Sequence, residues 1–249
     1  MHRFYVTKEQ IHNEQITITG PDVNHIKNVL RMGPGDELII CNGQGKDCYC
    51  IIELVSEKNI LAKIVSIQDT GTELMANITL FQGLPKKDKM ELIIQKAVEL
   101  GVYEIVPVMT NRVIVKIEDD KKEKKKLERW KAIAESAAKQ SRRGIIPKIH
   151  PIVSFEKALQ LGSSLDFGIL PYENEKGIKY TKEVMNQIGQ YKSIGVYIGP
   201  EGGFDESEVI AAQNHGIKPI TLGRRILRTE TAGLAVLSMM MLSLEDDAN

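Results

Sequence analysis

The 249-residue chain has no excess charge of either sign, because 33 lysine and arginine residues are matched by 33 aspartate and glutamate residues. This balance excludes a uniformly basic nucleic-acid-coating protein and an acidic tail protein, but it leaves room for a locally basic face. Aromatic residues make up only 5% of the chain, so the core must be packed mainly with aliphatic side chains. The hydrophobic fraction, 42%, is nevertheless typical of a globular protein.

Cysteine is too scarce to predict a disulfide framework or a metal centre. The three cysteines are Cys41, Cys48 and Cys50, and they form no CxxC pair. A zinc site completed by His12 or His25 stays open as an alternative, but buried thiols on one strand face are the favoured interpretation. No metal site is therefore predicted. The odd number of cysteines and the lack of a signal-peptide pattern in MHRFYV indicate a cytoplasmic protein.

A long apolar segment is also missing. The longest run, residues 232–244, is shorter than the roughly 20 residues that a bilayer requires. It predicts instead a helix that is buried on most sides, with three consecutive methionines as core filling. No membrane association is expected.

Residues 1–70 show short runs of alternating polar and apolar residues, separated by the turn sequences GPGD and NGQG. Together with one helix over residues 22–31, this pattern predicts a small β-barrel, followed by a linker at 68–77. The predicted strands cover residues 3–6, 15–19, 37–41, 48–55 and 60–67.

Residues 75–249 alternate strands with helices, which predicts a domain of parallel βα units. Two of its helices are predicted to begin at capping boxes, Asp88 with Glu91 and Asp205 with Glu208. The fold class is therefore α/β, preceded by a small β domain. The predicted strands cover residues 78–82, 104–108, 166–170, 193–198 and 217–222.

Charge is distributed unevenly along the chain, because residues 81–150 hold 17 basic and 10 acidic side chains. Five lysines lie within residues 121–126, on or beside a predicted amphipathic helix. Such a basic face is either a solvated surface or a phosphate-binding surface, and both interpretations stay open for the lysine cluster. Arg142 and Arg143 lie beyond the apolar stripe of the helix, and a phosphate contact is favoured for them.

Two glycine-containing segments each follow a predicted strand, IGPEGG at 198–203 and LGRRILRTETAG at 222–233. Neither has the spacing of a P-loop or of a dinucleotide-binding loop, and the chain contains no GxSxG or HExxH motif. Ligands collect at the carboxyl ends of parallel strands, so the two segments predict one shared pocket. Taken alone, IGPEGG favours a tight turn slightly over a ligand-binding loop.

Six segments in order along the chain, RFYV, HIKNVLR, QKAVELGV, AAKQSRR, IGPEGGF and LGRRILRTETA, together resemble the RsmE family. These bacterial enzymes use S-adenosylmethionine to methylate N3 of a uracil in small-subunit ribosomal RNA. The resemblance implies a SPOUT α/β domain with a deep trefoil knot, preceded by a PUA-like barrel, and it implies a homodimer. The expected partner is ribosomal RNA or the small ribosomal subunit.

The resemblance also implies roles for individual residues. Arg228 is expected to stabilise negative charge on the uracil. Glu230 or Glu201 is a candidate proton acceptor, although an ordinary glutamate pKa of about 4.3 suits this task poorly, and a structural role stays open for both. The residues expected to contact RNA are Arg31, Arg112, Arg142 and Arg143. The residues expected to bind S-adenosylmethionine are Leu170, Pro171, Ile198, Gly199, Pro200, Glu201, Gly202, Gly203, Leu222, Gly223, Arg225, Ile226 and Leu227.

Two other functions stay open at this point. One is a SPOUT methyltransferase that modifies another RNA atom, such as a ribose hydroxyl. The other is a non-catalytic RNA-binding or ribosome-assembly protein that uses the barrel and the basic face alone.

Overall fold

The computed structural model describes residues 1–113, 120–173 and 177–245. The chain divides into two compact units, and the division is not a single cut in the sequence. The first unit comprises residues 1–73 and 139–146, and the second comprises residues 74–138 and 147–249. The division of function between residues 1–70 and 75–249 stays a prediction.

The first unit is built on one six-stranded sheet. In the sheet the strand order is β1-β4-β5-β6-β3-β2, and the β1–β4 pair is parallel whereas the other pairs are antiparallel. A short helix, α1 (Pro21–Asn24), continues as a π-helical turn over His25–Val29, where a helix over 22–31 was expected. The strands are β1 (His2–Tyr5), β2 (Ile11–His12), β3 (Gln15–Thr19), β4 (Glu37–Cys41), β5 (Lys46–Val55) and β6 (Asn59–Asp69).

Alternation along these strands produces one core for the first unit. On β3, Ile16 and Ile18 are buried, whereas Gln15 and Thr19 are exposed, as expected for a strand with one covered face. Cys48 and Cys50 on β5 belong to the same core and are free thiols, 3% and 2% exposed. Their burial agrees with their interpretation as small hydrophobic residues.

The second unit contains a seven-stranded parallel sheet. Along the sheet the order is β10-β8-β7-β12-β11-β13, and β9 pairs with β8. The central strands β7 and β12 are buried on both faces, as is usual where helices cover both sides of a parallel sheet. The strands are β7 (Asn77–Gly83), β8 (Glu104–Met109), β9 (Lys148–Ile149), β10 (Val153–Ser154), β11 (Phe167–Pro171), β12 (Ser193–Ile198) and β13 (Lys218–Ile220).

Helices of the second unit connect these strands, and the last of them follows β13. The structure therefore confirms the predicted class, an α/β parallel-sheet domain together with a small β domain. Among the described residues, no helix combines the length and the apolar character needed to cross a membrane. The helices are α2 (Lys89–Glu99), α3 (Asp120–Gln140), α4 (Phe155–Gly162), α5 (Ile178–Met185), α6 (Glu206–Asn214) and α7 (Thr229–Leu244).

The two predicted capping boxes have different outcomes. Asp205 has the extended backbone of an N-cap, and its backbone N–H donates to Glu208 at 2.8 Å, so this capping box forms. The prediction at Asp88 is wrong, because its backbone (φ −90°, ψ 7°) does not direct the carboxylate to the first turn, and no side-chain cap forms. Glu91 instead forms an ion pair with Arg129 at 2.7 Å.

Helix α7 is less enclosed than its apolar sequence suggested. Its buried face, which includes Val236, Leu237 and Met240, packs against α2 and β12. Leu242, on the other side, is 81% exposed. The expectation of burial on most sides is therefore wrong for one face, because the elements that the structure describes cover α7 from one side only.

Candidate active site

A cleft opens beyond the carboxyl ends of three neighbouring parallel strands, β11, β12 and β13. Loops that follow the strands form its walls, together with the first turn of α7. This is the edge at which open parallel sheets bind their ligands. All predicted cofactor residues except two line it, namely Pro171, Ile198, Gly199, Pro200, Glu201, Gly203, Leu222, Gly223, Arg225, Ile226 and Leu227.

The two exceptions are Leu170 and Gly202. Leu170 is fully buried in the core of the second unit. Gly202 lies against Arg112, since a Cβ atom built on it would be 3.2 Å from the Cβ of Arg112. The site prediction also omitted several residues that line the cleft, and part of the missing signal was present in LGRRILRTETA, which contains three of them. The omitted residues are Tyr172, Glu173, Phe204, Thr221, Arg224, Thr229 and Ala232.

We number the cleft loops first, second and third, after β11, β12 and β13 respectively. Gly199 lets the second cleft loop fold back tightly on itself. A Cβ atom at this position would lie 3.0 Å from the carbonyl carbon of Gly203 and 3.2 Å from its Cα, both of them backbone atoms that cannot rotate away. A side chain here would therefore displace the loop. In the third loop, Gly223 has φ +106°, a conformation that L-residues rarely adopt.

A buried hydrogen-bond chain connects the second cleft loop, at Gly199, to the sheet and to α7. The Thr229 hydroxyl donates to the carbonyl oxygen of Gly199 at 2.6 Å and accepts from the Gln82 amide at 2.9 Å. Gln82 also donates to the Gly83 carbonyl at 2.9 Å, and its side chain is fully buried. The end of β7, the start of α7 and the cleft loop are thus held in one geometry.

A lysine bridges two carboxylates beside the cleft. The Lys89 ammonium lies 3.1 Å from Glu201 Oε1 and 3.2 Å from Glu230 Oε2. Glu201 also accepts the backbone N–H of Lys86. Burial alone would raise the pKa of Glu201, but its own backbone N–H, the Lys86 N–H and the Lys89 ammonium outweigh burial, so this pKa is lowered. The hydrogen bond to Glu201 likewise raises the pKa of Lys89.

The two predicted catalytic residues lie in different surroundings. Arg228 is exposed and caps the N-terminus of α7 with extended backbone (φ −66°, ψ 154°). Its chain neighbours Leu227 and Thr229 line the cleft, but Arg228 itself is not among the lining residues. Glu230 has a side chain that is only 16% exposed and paired with Lys89. This ion pair argues against Glu230 as a freely available proton acceptor.

Arg143, expected to contact RNA phosphate, is a structural residue. It is 3% exposed, and its guanidinium forms an ion pair with Glu73. The same carboxylate accepts the backbone N–H groups of Gly144 and Ile145, at 2.8 and 3.2 Å. A buried guanidinium with a carboxylate partner cannot reach a phosphate, so the structure argues against the expected phosphate contact of Arg143.

The other three candidate RNA contacts are exposed. Arg31 and Arg142 both have left-handed backbone, with φ +55° and +58°. Arg112 donates to the Gly202 carbonyl at 3.0 Å and lies 3.4 Å from Asp205, so it supports the second cleft loop from outside. Within the described ranges, no group of three or more His, Cys, Asp or Glu side chains is placed to hold a metal ion.

Comparison with known proteins defines the class. The family model described as RNA methyltransferase domain matches residues 72–241, which include the parallel sheet and the cleft. The model described as RNA methyltransferase PUA domain matches residues 18–65 of the first unit. The chain is thus an RNA methyltransferase with an N-terminal PUA domain.

Relatives over the whole length define the family. The ribosomal RNA small subunit methyltransferase E of Bacillus subtilis (strain 168) is 38% identical, over 96% of this chain and 95% of its own. That of Mesomycoplasma hyopneumoniae (strain 232) is 34% identical, over 96% and 98%. The crystal structure of the Neisseria gonorrhoeae enzyme bound to S-adenosylmethionine is 34% identical, covers 98% of both chains and superposes with a TM-score of 0.79. The chain belongs to the RsmE family.

Proposed function

We propose that this chain uses S-adenosylmethionine to methylate N3 of a specific uridine in small-subunit ribosomal RNA. The observation that carries the proposal is the cleft at the ends of β11, β12 and β13, built from the same loop sequences that connect the chain to its family. Membership of the RsmE family supports the substrate class, and the relative crystallised with S-adenosylmethionine supports the methyl donor.

The residues around the cleft fit S-adenosylmethionine chemically. Glu173 and Glu201 provide carboxylates for a ligand that carries a sulfonium and an ammonium group. Apolar side chains are available for its adenine ring, and Ile226 is 84% exposed at the rim, where a bound ring would cover it. Gly199 and Gly223 both line the cleft, and Gly223 has open space where a Cβ atom would be, so its backbone is free for close approach.

The sulfonium of bound S-adenosylmethionine supplies an electrophilic methyl group. The cleft loops hold the reacting groups in line, and the Gln82–Thr229–Gly199 hydrogen bonds keep the second loop rigid. Attack by N3 requires loss of the imide proton, which leaves negative charge on the uracil oxygens. We assign the stabilisation of this charge to the paired donors of the Arg228 guanidinium, because Arg228 is exposed and lies between two residues that line the cleft.

The RNA is held by exposed basic residues, with Arg31 and Arg142 in the first unit and Arg112 in the second as the main candidates. In this proposal residues 1–70 bind RNA and residues 75–249 catalyse the transfer. The exposed face of α7 around Leu242 supports a homodimer, since the described residues leave large apolar side chains there uncovered. The trefoil knot and the cytoplasmic location stay predictions.

The decisive experiment incubates the purified protein with labelled S-adenosylmethionine and either small ribosomal subunits or free ribosomal RNA. We expect label in the RNA, and nucleoside analysis should identify 3-methyluridine. The Arg228→Ala variant should bind S-adenosylmethionine normally but transfer methyl groups slowly in a single turnover. Label on a ribose hydroxyl would reassign the target atom, and the absence of both binding and transfer would refute the proposal.

A further inference from the structure

The Lys89 ammonium joins three segments that are far apart in the sequence. It extends from the first turn of α2 to Glu201 in the second cleft loop and to Glu230 in the first turn of α7. Its side chain is 31% exposed, and those of Glu201 and Glu230 are 25% and 16% exposed. Lys89 does not line the cleft itself, so any effect on a ligand must act through its two partners.

We propose that Lys89 is a positioning residue of the methyltransferase site, which holds Glu201 and Glu230 together and thereby fixes two walls of the cofactor cleft before the cofactor binds. This inference rests on the proposed function, because it assigns a role toward the same cofactor. It adds a residue outside the glycine-containing loops to the machinery of the site.

The geometry makes the lysine charge necessary. Glu230 Oε2 is buried, and no hydrogen bond of standard geometry reaches it from the described residues, so the ammonium 3.2 Å away is what compensates its charge. Glu201 is additionally held by the Lys86 N–H, but Glu230 has no such support at this atom. Without Lys89, two carboxylates would face each other at short range and repel.

Other charged groups lie near the bridge. Lys86, Lys87 and Asp88 directly precede Lys89 and are exposed, and Glu91 is paired with Arg129 of α3. On α7, Arg228 precedes the first turn and is exposed. Replacing the lysine by a neutral residue therefore changes the charge balance of Glu201 and Glu230 directly.

The test is calorimetric titration of S-adenosylmethionine into the full-length protein between pH 5.5 and 8. We expect Lys89→Met to weaken binding about tenfold at pH 7.5, because the repelling carboxylates displace the two walls. Lys89→Arg should stay within about threefold of wild type, since a guanidinium can bridge two carboxylates. Lys96→Met is the control, because Lys96 pairs with Glu99 on the same helix and does not line the cleft.

Two readouts separate positioning by charge from simple loss of packing. The affinity of Lys89→Met for S-adenosylmethionine should recover as the pH is lowered to 5.5, because a proton on one of the two carboxylates replaces the missing positive charge. The affinity of the wild type should stay nearly constant over the same range. The double variant Lys89→Met with Glu230→Gln should recover affinity at pH 7.5, because the repulsion is removed.

The inference is overturned if Lys89→Met binds like wild type. It is also overturned if Lys89→Met, its arginine counterpart and the double variant are equally weak at every pH while thermal unfolding shows them to be folded. Failure of the wild type to bind S-adenosylmethionine refutes the proposed function instead.

Discussion

The Thr229 hydroxyl offers the sharpest test of how the cleft is held together. Thr229→Val keeps the shape of the side chain but removes a hydroxyl that donates to Gly199 at 2.6 Å and accepts from Gln82 at 2.9 Å, at a position only 4% exposed. Each such bond contributes about 1 kcal/mol, and a buried carbonyl left without a partner costs about 1–3 kcal/mol. The expected loss is about 2–3 kcal/mol in the free energy of unfolding.

Thermal and denaturant unfolding measure this loss. For a chain of this length, the expected change corresponds to a decrease of about 5–10 °C in Tm. Ser164→Ala is a control, because it removes a 2.9 Å hydrogen bond to the Leu161 carbonyl at an exposed position away from the cleft and should change stability by about 0.5 kcal/mol or less. Affinity for S-adenosylmethionine should also decrease in Thr229→Val, because Gly199 lines the cleft.

A double-mutant cycle with Gln82→Leu tests the coupling. The Gln82 Oε1 atom already lacks a hydrogen-bond partner among the described residues, so leucine removes an unsatisfied atom together with the amide. The combined variant should therefore be more stable than the sum of the single losses predicts, by about 1 kcal/mol. A Thr229→Val protein within about 0.5 kcal/mol of wild type, or strict additivity in the cycle, would refute the reasoning.

Three further outcomes are expected. Gly199→Val should weaken S-adenosylmethionine binding in calorimetry, because its Cβ meets backbone 3.0 Å away, whereas Gly189→Ala, with open space around it, should bind normally. Arg143→Met should lower the free energy of unfolding by about 3 kcal/mol, because a buried ion pair loses one charge. Arg142→Met should leave the free energy of unfolding unchanged but reduce the slope of log K for RNA binding against log salt concentration by about one. The reverse pattern would contradict the assignment. The hydrogen bond from His150 chiefly lowers the pKa of Glu104. Its stabilisation is therefore present above about pH 4.3 and is lost as the pH falls through the lowered pKa. Glu104→Gln should make the free energy of unfolding less dependent on pH in this acid range, and an unchanged dependence would count against the assignment.

Local pattern determined much of the fold. Strands β3, β4 and β12 begin and end where alternation or apolar runs predict, because their periodicity depends on neighbouring residues alone. The two-residue strands β2, β9 and β10 were not predicted, since so short a segment carries no periodic signal. The position of two glycine-containing segments after strands predicted a shared pocket, and family resemblance added the cofactor and the residues after β11; most of the predicted residues do line one cleft.

The sequence by itself determined the α/β class, the two types of domain and the loops that form the cleft, because these depend on local patterns and on motifs that survive in any context. Only the tertiary structure decided which individual side chains are buried, paired or exposed. Arg142 and Arg143 are neighbours in the chain, yet one is exposed and the other is buried against Glu73, 70 residues away.

The pattern at Asp88 matches that at Asp205, but only Asp205 has the backbone angles that allow its carboxylate to cap a helix. Lys89 showed no signal at all in the sequence, because its partners are more than a hundred residues distant. Burial, ion pairing and cap geometry depend on which distant residues the fold brings together, and no local pattern contains that information.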